Sequence, residues 1–174
     1  ENNRPYLIHS FLGRSLQDNL TEEELSHFEG EFSEFRKGNF FRLYLWKFSG
    51  SDEKSEKKKV SDDYLKKLEA CGSAIFLQKE RLLALFLAAE TEDELKELER
   101  KTASLGYTPA QGTMDTLCGR SVLFRDIHEN YRCSHQVQNL LEYYGIRERK
   151  EYYDMEDMLT AEELPLEQEK KKRV

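Results

Sequence analysis

Phe40-Phe41-Arg42-Leu43-Tyr44-Leu45-Trp46-Lys47-Phe48 alternates its side chains with a period of two, placing Phe41, Leu43 and Leu45 on one side and Arg42, Tyr44 and Trp46 on the other. That pattern belongs to a strand with one face covered, and only Phe48 departs from it by falling on the polar side. The strand anchors the reading of everything around it.

Upstream, Leu25, Phe28, Phe32 and Phe35 recur three and four residues apart, so they share one side of a helix. Thr21 stands at its start with Glu24 three residues on, the signature of a capping box, and Gly38 offers a left-handed stop. The same signature returns as Thr91-Glu92-Asp93-Glu94-Leu95, ahead of Leu95, Leu98 and Leu105, with Gly106 as the stop. Before the first helix, Pro5 to Leu12 (PYLIHSFL) is apolar and aromatic enough for another strand, broken at Gly13.

Downstream, residues 49–59 (SGSDEKSEKKK) are too charged to bury surface and read as a flexible loop. Ser61 caps a short helix carrying Tyr64, Leu65 and Leu68 and ending near Gly72. Ser73 to Leu77 and Arg81 to Ala89 then form two strands joined at Gln78-Lys79-Glu80, and Tyr107 to Gly112 supplies an edge strand limited by Pro109. This succession predicts an α+β fold, a ferredoxin-like split β-α-β sheet with an inserted short helix and a C-terminal helical extension. The expected units are residues 1–112 for the sheet domain, 113–146 for an extension and 147–174 for a charged, flexible tail. Within the extension, Ser121 to Ile127 reads as a strand or an arm, and Ser134 caps a helix through Val137, Leu140, Leu141 and Tyr144.

Composition narrows function. A net charge of −7 opposes general affinity for nucleic acid or anionic lipid, whatever the basic clusters at Lys57 to Lys59 and Lys170 to Arg173 do locally. No apolar run approaches the ~20 residues of a membrane-spanning helix. Three cysteines at no framework spacing point to reduced thiols and a cytoplasmic setting, and with Glu1 in the first position the expectation is a processed product or a piece of something longer.

No Gly-x-Ser-x-Gly elbow, His-Glu-x-x-His pair, Walker loop or dinucleotide fingerprint occurs in the chain, and no cofactor is expected. Cys118, His128, Cys133 and His135 have the atoms for a tetrahedral metal site but not the spacing of known ones, and no metal is expected there. Cys118-Gly119-Arg120-Ser121 is too short for a phosphate-binding thiolate loop. Two groups remain as partner-binding residues. Arg42, Tyr44 and Trp46 form an aromatic and cationic strip suited to a protein or, on an open sheet, to stacked RNA bases. Tyr152, Tyr153, Met155 and Met158 are apolar anchors in an acidic segment able to order on a partner groove. The expectation is a non-catalytic assembly or regulatory domain that binds a protein or itself, within a larger protein or a secretion- or conjugation-type machine. The alternatives are an RNA-associated module and a metal-dependent enzyme or redox protein.

Overall fold

In the computed structural model, which describes residues 3–48, 60–107, 116–147 and 150–161, the strand Phe40–Phe48 (β1) lies in the middle of a five-stranded mixed sheet. Its neighbours are β3 (Leu82–Ala89) and β4 (Thr116–Arg120), both antiparallel to it, with Leu43 opposite Phe86 and Trp46 opposite both Leu83 and Cys118. Strand β2 (Ser73–Leu77) pairs antiparallel with β3, and β5 (Tyr152–Asp154) adds a parallel edge to β4, giving the order β2-β3-β1-β4-β5. The fold is α+β. The fifth, parallel strand lies outside a four-stranded split β-α-β layout.

Both faces of the sheet are covered, so the expectation of one covered face is corrected. Phe41, Leu43, Leu45, Ile75 and Phe86 pack beneath α1 (Arg4–Leu16), α2 (Glu22–Glu31) and α5 (Asn130–Arg147). On the opposite face Tyr44, Trp46, Leu83, Leu85 and Leu87 pack beneath α3 (Asp62–Glu69) and α4 (Glu92–Ser104). An alternating strand buried on both sides needs apolar or paired residues in every position, and aromatic rings on the second face meet that need.

The capping signatures hold. Thr21 and Glu24 form the full reciprocal box, and Ser61 and Thr91 each accept an N–H from the third residue on. The helix from Thr21, however, stops at Glu31 and gives way to a 3-10 turn, Ser33–Phe35; Gly38 takes its left-handed φ of 97° in the link to β1. Gly106, at φ 81°, follows α4 as expected.

Pro5 to Leu12 is the first turns of a helix, not a strand. Its buried side chains Ile8, Phe11, Leu12, Ser15 and Leu16 recur three and four apart, and proline is well tolerated in a first turn. Gly13 breaks nothing: it lies inside α1 against Ile75 and Leu77. The C-terminal helix begins at Asn130 rather than at Ser134, which is buried within it. Strand β4 occupies Thr116–Arg120, and the segment Ser121 to Ile127, expected as a strand or an arm, continues beside β1 through the Ser121 N–H on the Leu43 carbonyl and a bridge from Phe124 to Phe41. Glu151 to Met158, expected within the flexible tail, carries β5 and the start of α6 (Met155–Ala161). The charged loop 49–59, the segment 108–112 of the expected edge strand and the terminal basic cluster lie outside the described residues.

Candidate functional site

Where β1, β4, α4 and the β5–α6 segment converge, two arginines and three carboxylates form one network. Arg42 donates from Nε to Glu99 Oε1 at 2.7 Å and from its terminal nitrogens to both oxygens of Glu156 at 2.6 and 2.9 Å. Arg120 reaches the other oxygen of Glu99 at 2.8 Å and holds Asp154 through two nitrogens, at 2.5 and 3.3 Å. Glu99 therefore bridges the two guanidinium groups, which would otherwise repel each other in a half-dry site.

Electrostatics follow from that geometry. Burial works against the charge of Arg120, but its bonds to Asp154 outweigh it and hold the guanidinium well above its ordinary value. The hydrogen bonds from Arg42 and from the Leu123 N–H hold the Glu156 carboxyl below the usual glutamate range. Burial pushes the Tyr44 and Tyr152 hydroxyls upward, so both rings stay neutral.

Of the residues expected to bind partners, Arg42 belongs to this network, and the others lie in or against the two cores. Trp46 is 0 % exposed, Tyr44 1 % and Arg42 8 %, so the open aromatic strip imagined for RNA stacking does not exist on β1. What covers it is α3 and α4, with Tyr64 set edge-on to Trp46. Tyr153 and Met155, each 1 % exposed, and the partly buried Met158 belong to the core on the other face. Tyr152 stacks on Tyr107. The acidic, aromatic segment pairs with the edge of its own sheet, Tyr152–Asp154 running parallel to β4. Only its alternation of apolar and acidic residues hinted at this; the partners Arg42 and Arg120 lie 114 and 34 residues from Glu156 and Asp154.

The four metal-capable residues are not brought together. Cys118 is paired with Trp46 and shares its face, whereas Cys133 lies in the cluster beneath α5 on the other side of the sheet. Burial raises the Cys118 thiol well above its ordinary value and pushes Cys133 up to about 11, so neither is a ready thiolate. His135 is exposed on α5 and packs edge-on to Tyr131. His128 instead joins Glu29 and Asp126, whose ligand atoms all lie within 4.8 Å of one another, a donor set that suits a divalent cation. The same atoms already act as ties: His128 Nδ1 faces Glu22 and Nε2 faces Glu29, each at 3.3 Å, and Asp126 caps the 3-10 turn Ile127–Glu129.

The third feature was not foreseen because it depends on α1 being a helix. Helices α1 and α2 enclose a groove of about 460 Å³. Phe11, Phe28, Phe32 and Leu20 supply its apolar floor, with Phe11 stacked on Phe28. Leu7 and Arg14 line the α1 side, and exposed Glu23, His27 and Glu31 line the α2 side. Tyr6, 72 % exposed, and Leu7, 48 % exposed, are the exposed large hydrophobic residues among those described, and both sit in the first turn of α1. No helix among the described residues is long and apolar enough to cross a membrane. No protein-family model matches the chain, and no curated protein matches it either.

Proposed function

We propose that the chain is a non-catalytic interaction domain, an assembly or regulatory part of a larger protein or complex, whose docking surface is the α1–α2 groove and whose occupant is a helix of a protein partner. The observation that carries this reading is the placement of Tyr6 and Leu7. Leu7 lines the apolar groove and Tyr6 precedes it in the first turn of α1, and a clustered exposure of this kind marks contact surfaces where scattered ones do not. A groove between helices is also the usual seat for an amphipathic helix. The residues first assigned to partner binding support a different role, since Arg42, Trp46, Tyr153 and Met155 are used up in holding the chain's own layers together.

A photo-reactive amino acid placed at Tyr6, in the cells that make the protein, tests the reading. A discrete protein adduct, identified by mass spectrometry and absent when the same group is placed at Lys96 on α4, is the expected result. Equal labelling at both positions, or none at Tyr6, would overturn it.

A further inference from the structure

Charge is distributed unevenly around the groove. Between Arg4 and Phe35 the chain carries seven carboxylates against two arginines and no lysine. Both arginines are already engaged, Arg4 with Glu34 and Arg14 with Glu24. Along α2 no lysine or arginine among the described residues answers Glu23 or Glu31, and on the exposed rim Glu31 meets only the imidazole of His27, whose Nε2 lies 3.1 Å away. Eight residues separate Glu23 from Glu31, which at the helical rise is about 12 Å, close to two turns. A helix lying in the groove would meet this rim with cations two turns apart.

From this we infer that the groove takes a basic amphipathic helix of a protein partner. Its apolar stripe, spaced i, i+3, i+4 and i+7, seats between Leu7 and Phe32 over the Phe11–Phe28 stack, while lysine or arginine side chains flanking the stripe face Glu23 and Glu31. The inference rests on the docking reading above and adds the partner's chemistry to it. An acidic helix would meet like charge at Glu23 and Glu31, and a neutral one would leave that charge partly desolvated without a cationic partner from the helix. Tyr6, exposed one residue before the lining residue Leu7 in the first turn of α1, adds apolar surface beside it, so the occupant is expected to carry one further apolar side chain there.

The probe is a synthetic helix of about 18 residues, about 27 Å long, with leucine on the i, i+3, i+4, i+7 stripe and lysine elsewhere, and a twin with glutamate in place of lysine. Binding of each to the whole chain is followed by fluorescence anisotropy and by amide chemical shifts. The lysine peptide is expected to bind, to shift amides of α1 and α2, and to weaken as salt rises from about 0.05 to about 0.5 M. Glu23→Lys combined with Glu31→Lys should weaken it at least about tenfold, whereas Asp93→Lys with Glu94→Lys on α4 should leave it within about twofold. Leu7→Ser should weaken both peptides if either binds. Equal binding of the lysine and glutamate peptides on α1 and α2 would overturn the charge inference and leave the docking reading standing. Failure of both peptides to shift α1 and α2, or binding indifferent to Leu7→Ser, would overturn the two together.

Discussion

Replacing Asp154 by alanine should loosen the C-terminal segment while leaving the sheet folded. Asp154 takes two hydrogen bonds from Arg120 and one from the Glu156 N–H at 3.1 Å, the latter capping α6. Removing one partner of a buried pair costs about 3–5 kcal/mol, and because Arg120 keeps Glu99 the lower end applies. Loss of the cap adds about 1 kcal/mol. A change of about 3–4 kcal/mol in the local opening equilibrium corresponds to a hundredfold or larger loss of amide protection, at about 1.4 kcal/mol per tenfold. Hydrogen exchange read by mass spectrometry should show that loss across Tyr152–Asp154 and the following turn of α6, with Leu82–Ala89 of β3 little changed. Asp154→Asn, which keeps shape and an acceptor, should fall between wild type and alanine. If β3 and the segment lose protection equally, the network holds the whole fold and the reasoning fails; if neither changes, it has no anchoring role.

Acid should act on the same segment: folded Glu156 titrates below its ordinary value of 4.5, so the stability it supplies is present above that value and lost as pH falls through the lowered one. Protection of Tyr152–Asp154, corrected for intrinsic exchange, should therefore drop below about pH 4.5 before that of β3. A Cβ at Gly119 would press into Val137 and Leu141 of α5, so Gly119→Ala should cost about 1–3 kcal/mol in denaturant unfolding, and an unchanged midpoint would show that α5 yields freely. Cys118 and Cys133, buried with raised thiols, should resist iodoacetamide at pH 8 in the folded protein and react promptly in denaturant; rapid native labelling would contradict their burial.

Local signals were legible wherever chain neighbours settle the structure. Thr21, Ser61 and Thr91 each announce a helix through a hydroxyl and an N–H three residues away, and β1, β2 and β3 announce themselves through alternation or β-rich runs. Pro5 to Leu12 misled because its first eight residues serve either period, and only the continuation through Ser15 and Leu16 favours the helix. With α1 misread, the groove could not be seen. The β5–α6 segment was hidden for a different reason: Tyr153 and Met155 become core residues only when β4 provides an edge, and that edge depends on pairings across the whole chain. Arg42, Tyr44 and Trp46 looked like an outward strip because periodicity separates two faces without saying whether the second is also roofed.

The clasp between Arg42 and Glu156 also bears on how the protein is made. One partner lies in β1 and the other in the last described helix, so while a ribosome is still extending the chain, β1 and β4 carry two cations destined for burial with only Glu99 to neutralise them. The growing polypeptide can therefore assemble helices and hairpins early but completes its charge balance only after α6 emerges. Any shortening that removes residues 150–161 arrests the protein in that incomplete condition, with the bed of Tyr153 and Met155 stripped and both guanidinium groups underpaired. Such a fragment should be sought in inclusion bodies or bound to chaperones.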